Sequence, residues 1–60
     1  MKSNELKRLL ESNGWCVKSQ NGSHAKYVHK DHGGFIVLPL RGAKEIGIGL
    51  EKKIKKQAGL

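Results

Sequence analysis

The chain has 60 residues, with 12 Lys and Arg against 5 Asp and Glu, so its net charge is +7. A chain this short forms one domain near the lower limit for independent folding, which excludes a long internal cavity for a large cofactor. Its basic balance favours a polyanionic partner, with nucleic acid ahead of an acidic protein or an anionic membrane. We find no signal peptide and no apolar run of membrane-spanning length, and we therefore expect a cytoplasmic protein without a membrane partner.

Metal and cofactor sites are not predicted. Cys16 is the single cysteine, and with three scattered histidines it has none of the spacings of a zinc site. The acidic residues are also scattered, so no pair of carboxylates is placed for two-metal chemistry. The sequence contains no phosphate-binding loop and no dinucleotide fingerprint.

The first predicted element is a helix over residues 3–13, with Ser3 as its N-cap. Its apolar stripe has the i, i+3, i+4 spacing of an amphipathic helix and consists of Leu6, Leu9 and Leu10. Asn13-Gly14 ends the helix with residues that tolerate a left-handed conformation.

Three strands are predicted next, over residues 15–20, 24–30 and 35–38. Asn21-Gly22 is a strong signal for a hairpin turn between the first two strands, and residues 31–34 form the next turn. In the first strand, regular alternation places Trp15, Val17 and Ser19 on one face. Pro39 ends the third strand, which suits an edge position because proline cannot donate to a ladder.

Residues 40–47 form a loop, and a last helix follows with an apolar stripe at Leu50, Ile54 and Ala58. Three lysines, Lys52, Lys55 and Lys56, lie opposite that stripe. The predicted fold is a single α+β domain over residues 1–60, in the order α-β-β-β-α. Both helices are expected on one face of a three-stranded antiparallel sheet, as in the double-stranded-RNA-binding domain.

Gly22-Ser23-His24 is the candidate catalytic segment, because it places an imidazole at the mouth of a hairpin. Gly22 allows a phosphate backbone to approach closely, and Ser23 offers a hydroxyl and an amide to a phosphate oxygen. His24 is able to take a proton from an RNA 2′-hydroxyl, and Lys26, on the same strand face, to stabilise charge on the phosphate. The alternative to a catalytic function is that these residues are solvated polar side chains on the surface.

Other polar and aromatic residues have simpler interpretations. His29 has the opposite strand parity from His24, so we expect it to pack beside Tyr27 rather than act as the general acid, unless a bulge intervenes. Trp15, Tyr27 and Phe35 are expected in the core rather than as base-stacking residues. Lys52, Lys55 and Lys56 form either a solvated face or a surface that holds RNA phosphates.

The chain resembles the HicA toxins, the small mRNA-cleaving partners of HicB antitoxins, over nearly its whole length. The segments that carry the resemblance are Leu9-Leu10-Glu11, Gly14-Trp15, Gly22-Ser23-His24, Tyr27, His29, Ile46, Ile48-Gly49, Ile54 and Lys56-Gln57-Ala58-Gly59-Leu60. The resemblance implies a double-stranded-RNA-binding-like fold, ribonuclease activity toward mRNA and His24 as the catalytic residue. It also implies an antitoxin that covers the site. In the complex of the two proteins, the antitoxin is the partner that contacts operator DNA.

Three positions depart from the family pattern. Ala25 stands where members often carry a second histidine, and Leu40-Arg41 follows Pro39 where many have a histidine. Arg41 then becomes a candidate for stabilising the phosphate. Leu50 replaces a threonine at the expected start of the last helix, which predicts the loss of a helix cap worth roughly 1 kcal/mol.

Three hypotheses of different class follow. The first is a metal-independent endoribonuclease toxin that cleaves mRNA through His24 and is inhibited by a HicB-like antitoxin. The second is a non-catalytic RNA-binding module, in which His24 is a phosphate or base contact. The third is a basic protein whose charge serves only to bind an acidic antitoxin.

Overall fold

A computed structural model describes residues 1–60 and has the predicted order of elements. These are α1 (Ser3–Ser12), β1 (Cys16–Asn21), β2 (His24–His29), β3 (His32–Pro39) and α2 (Ile48–Gln57). The strands form one antiparallel sheet in the order β1-β2-β3, so the α+β fold class is confirmed. No helix is long and apolar enough to span a bilayer.

The core lies between the helices and a single face of the sheet. Alternate residues of β2 and β3 point toward it, and both helices contribute their apolar stripes. Its ten buried apolar residues are Leu6, Leu10, Trp15, Ala25, Tyr27, Ile36, Leu38, Ile46, Ile54 and Ala58. The helices therefore share one face of the sheet, as predicted, and the opposite face carries no helix.

The second helix runs back along the free edge of β3. Ile54 belongs to the core and also borders a groove with Phe35 and Val37, whose side chains point to the other face of the sheet. At the end of the helix, the Gly59 backbone lies against the His32 ring at the start of β3. The start of α2 is therefore near the end of β3, and β3 is the edge strand that Pro39 indicated.

Two β-bulges change which residues share a face. In β1 the register shifts between Val17 and Ser19, so that Val17 pairs with Tyr27 whereas Ser19 pairs with Lys26. The prediction that Val17 and Ser19 share a face is therefore wrong, because the extra residue, Lys18, reverses the alternation. A second shift lies between Tyr27 and His29 of β2.

Helix caps and the start of β3 also differ from the sequence predictions. The N-cap of α1 is Lys2, whose backbone N–H donates to Glu5 Oε1 at 2.9 Å, and not Ser3. The cap of α2 is Gly47, which makes Leu50 an internal helical residue rather than a failed cap. β3 begins three residues earlier than predicted, at His32, because the turn before it is shorter.

We predict that Tyr27→Phe changes the pH dependence of stability. Burial, together with the nearby Glu11 carboxylate, raises the pKa of Tyr27 to about 12 from its usual value near 10. The folded state thus holds a proton that the unfolded state loses, and the free energy of unfolding of the wild type falls as pH rises between these values. The variant loses only the 3.3 Å hydrogen bond to Glu11, about 1 kcal/mol.

Urea denaturation of both proteins at a series of pH values tests this. The wild-type midpoint is expected to decline more steeply than that of the variant above about pH 10. Parallel curves across this range would contradict the assignment.

Candidate nucleic-acid interface

His24 is exposed at one end of the central strand. It pairs with Asn21 on β1 and with Pro39 on β3, so backbone flanks it on both sides. The turn before it contains Gly22 at φ +62°, a conformation that favours glycine. None of the hydrogen bonds in the structure involves the His24 imidazole, and both ring nitrogens are available to a ligand.

The segment after β3 is held beside His24 by a buried hydroxyl of α1. The Ser3 Oγ donates to the Pro39 carbonyl at 2.6 Å and accepts from the Arg41 N–H at 3.0 Å. Ser3 is 1% exposed, and these two partners use its one donor and one of its two acceptor sites. This bridge brings the Arg41 backbone to the same end of the sheet as His24.

Lys26 shares the open face with His24, but its ammonium is directed elsewhere. The Lys26 Nζ lies 4.1 Å from the centroid of the Phe35 ring. Because Lys26 pairs with Val37 and His24 pairs with Pro39, Phe35 lies on the side of Lys26 away from His24. The structure therefore places the predicted pair on one surface without bringing the charged group to the imidazole.

The three predicted lysines of α2 have different surroundings. Lys52 and Lys56 are exposed, whereas Lys55 is half-buried and pairs with Glu51 at 3.2 Å. The N-terminal ammonium, and to a smaller extent Lys55, holds the pKa of Glu51 below its usual value. Since α2 ends beside His32, Lys56 is at the end of the domain opposite His24.

Lys53 was not among the predicted RNA-binding lysines, although it lies beside the open sheet face. It borders the groove between β3 and α2 together with Phe35 and Val37. The sequence signal for this location was the helical position of Lys53 beside the apolar stripe of Leu50 and Ile54.

Comparison with known proteins shows the family. Residues 3–60 match the family model described as the HicA toxin of bacterial toxin–antitoxin systems. The chain belongs to the HicA toxin family. It is also 43% identical over 60 residues to a protein of Pseudomonas fluorescens (strain Pf0-1) named "Probable mRNA interferase HicA". That match covers the whole chain and 97% of the relative, so the resemblance expected from the sequence is confirmed.

In this HicA-family domain, His29 belongs to an aromatic cluster with Trp15 and His32. The His29 ring centroid lies 5.2 Å from that of Trp15 and 4.6 Å from that of His32. Its Nδ1 accepts from the Asp31 N–H at 2.9 Å, and its Nε2 lies 2.9 Å from the Asn13 carbonyl. A neutral ring protonated at Nε2 satisfies both partners.

The same cluster is too far from His24 to serve the same phosphate. His29 is five residues further along β2, which corresponds to roughly 16 Å. His29 therefore joins the end of α1 to the β2–β3 turn, and the structure does not support it as the general acid for His24.

Of the three aromatic residues expected in the core, two are buried and one is not. Trp15 is 2% exposed and Tyr27 is 1% exposed, as predicted. Phe35 is 53% exposed, so its prediction is wrong. Because Ile36 and Leu38 face the helices, alternation turns Phe35 to the open face.

We predict that Ser3→Ala destabilises the domain by about 1–3 kcal/mol, because it leaves the buried Pro39 carbonyl and the Arg41 N–H without their partner. Ser12→Ala is the matched control, since its hydroxyl donates only to exposed carbonyls of the same helix. Urea denaturation should show a large loss for Ser3→Ala and little change for Ser12→Ala. Amide exchange of Arg41 should also be faster in Ser3→Ala, and equal effects of both variants would contradict the bridging function.

Proposed function

We propose that this chain is a metal-independent endoribonuclease that cleaves unpaired mRNA, with His24 as the general base. Membership of the HicA family makes it the toxin of a bacterial toxin–antitoxin system, and the name of the Pseudomonas relative supports mRNA as the substrate. The observation that carries the catalytic assignment is the exposed His24 imidazole on the open face of a +7 domain.

The proposed reaction is an internal transesterification. His24 takes the proton of a 2′-hydroxyl, the O2′–P bond forms, and the P–O5′ bond breaks. The leaving 5′ oxygen receives a proton from the protonated imidazole or from water. The products are a 2′,3′-cyclic phosphate and a 5′-hydroxyl. A single general base contributes about 10²–10⁴-fold, which predicts a modest enzyme.

Phosphate binding is assigned to the groups around this imidazole. The Gly22-Ser23 turn and the Arg41 backbone lie at the same end of the sheet as His24, and we assign phosphate binding there to the Ser23 hydroxyl and the Arg41 guanidinium. Lys26 reaches a phosphate there only if its flexible side chain leaves the Phe35 ring. The exposed Lys52 and Lys56 hold more distant phosphates, whereas Lys55 is engaged by Glu51 and is expected to contribute less.

The partner expected from the family is a HicB-like antitoxin, which inhibits the toxin by covering His24. We propose that the antitoxin also carries any contact with operator DNA, and that both proteins act in the cytoplasm, where mRNA is translated. One observation favours the non-catalytic alternative: no second histidine lies near His24. In that case the domain would bind RNA without cleaving it.

We predict that His24→Ala abolishes RNA cleavage and growth arrest while leaving RNA binding largely intact. Purified wild type incubated with labelled single-stranded RNA and excess EDTA should yield fragments ending in 2′,3′-cyclic phosphate. His32→Gln is the matched control, because it changes an exposed histidine at the far end of the sheet. Cleavage that persists in His24→Ala, or that requires added metal, would refute the proposed mechanism.

We also predict that replacing both Lys52 and Lys56 by Ala weakens RNA binding regardless of sequence. Each lost phosphate contact should reduce the slope of log K against log salt by roughly 0.7 for a single strand. The control carries Arg8→Ala and Lys30→Ala, which removes the same charge from exposed positions on α1 and the β2–β3 turn. Equal slopes for the two double variants would show that net charge alone, and not α2, determines binding.

A further inference from the structure

The open face of the sheet carries an apolar groove beside α2. It has a volume of about 190 Å³, and we call it the Phe35 groove; its lining residues are Phe35, Val37, Leu50, Lys53, Ile54 and Gln57. Phe35, Val37 and Leu50 leave 53%, 45% and 39% of their surfaces exposed. Since neither helix covers the Phe35 ring, its apolar area remains in contact with water in the free protein.

Two lysine side chains lie beside the Phe35 ring and its groove. The Lys26 ammonium lies over the ring, 4.1 Å from its centroid, and Lys53 borders the same groove from α2. A flat aromatic surface next to ammonium groups suits a nucleotide, whose base stacks on the ring while its phosphate pairs with a cation. An acidic protein segment would use the cations but would not need the ring to be exposed.

The groove is also within reach of a strand of RNA that passes His24. Phe35 lies four residues before Pro39, the residue that pairs with His24, which corresponds to roughly 13 Å along β3. Lys26 sits between them on the neighbouring strand, because it pairs with Val37. Its side chain is therefore long and flexible enough to point toward either Phe35 or His24.

We propose that Phe35 stacks an unpaired nucleobase, and that this base displaces the Lys26 ammonium, which then binds a phosphate next to His24. The second half of the proposal rests on the proposed ribonuclease function, whereas the stacking does not. In the free protein the Lys26 ammonium lies over one face of the ring, and the base takes its place there. The substrate is single-stranded near the cut, since bases inside a duplex have no free face for Phe35.

The test uses short single-stranded RNAs in which every sugar is 2′-O-methylated, so that no 2′-hydroxyl is available and the probe is not cleaved. A single 2-aminopurine is moved along the strand, and quenching of its fluorescence reports stacking. We expect quenching with the wild type and with Phe35→Trp. In Phe35→Leu the quenching should be lost and Kd should rise at least about fivefold.

Val17→Ala is the control, because it removes a similarly exposed apolar side chain from the other edge of the sheet. It should leave quenching and Kd unchanged. Thermal unfolding of each variant confirms that it is folded, which is expected because Phe35 lies outside the core. Quenching that survives in Phe35→Leu would overturn the proposal. So would unchanged RNA binding by Phe35→Leu together with lost binding of a HicB-like antitoxin, since the groove would then be a protein-docking surface.

The displacement step has its own readout on cleavable RNA. Lys26→Ala should lower kcat/KM while leaving the 2-aminopurine quenching intact, because it removes the phosphate contact and frees the ring. Unchanged kcat/KM in Lys26→Ala would overturn the displacement step. If quenching depends on Phe35 but the wild type leaves ordinary RNA intact, the ribonuclease proposal fails and the stacking inference is supported.

Discussion

Two ten-residue helices and a three-stranded sheet must share one small core in this domain. Each helix has one narrow apolar stripe, and both stripes pack against the same sheet face. The other face is therefore free of helices, and the alternation of β2 and β3 places His24, Lys26 and Phe35 on it. An uncovered sheet surface with an imidazole at one end and Lys26 beside it follows from this one-sided burial.

A second constraint joins the start of α1 to the segment after β3 at the candidate site. The buried Ser3 hydroxyl links the start of α1 to Pro39 and Arg41, at a separation of more than 35 residues along the chain. Backbone hydrogen bonds from Ser3 to Lys44 and from Asn4 to Gly42 extend the same contact. The backbone around Arg41 is thus held at the end of the sheet that carries His24.

The positive charge of the domain is divided among several functions. Lys7 and Lys55 pair with glutamates on their own helices, which uses part of the charge for local structure. Lys26 is held by an aromatic ring, and Lys52 and Lys56 remain free on the outer side of α2. Net charge alone therefore indicates the class of partner, whereas the distribution of ion pairs indicates which lysines are available to an RNA strand.

Much of this protein was predictable from its sequence, because periodicity and turn residues act locally. Leucine spacing defined α1, Asn21-Gly22 defined the first hairpin, and the segment Gly22-Ser23-His24 indicated the exposed histidine and the family. The bulge at Lys18 was not predictable, since it arises from pairing between strands. The bridge formed by Ser3 was not predictable either, because its partners, Pro39 and Arg41, are distant in sequence. The local pattern indicated only a helix cap at Ser3.

The apolar run of β3 shows most clearly that sequence alone does not determine which side chains are buried. Phe35-Ile36-Val37-Leu38 has no alternation, so its sequence does not indicate which two side chains face the core. Only the packing of both helices on one face buries Ile36 and Leu38 and leaves Phe35 exposed beside Lys26 and α2. The sequence thus determined the order of elements, the charge and the candidate histidine. Tertiary packing decided which groups lie on the same surface as His24, because burial depends on contacts between elements that are distant in the chain.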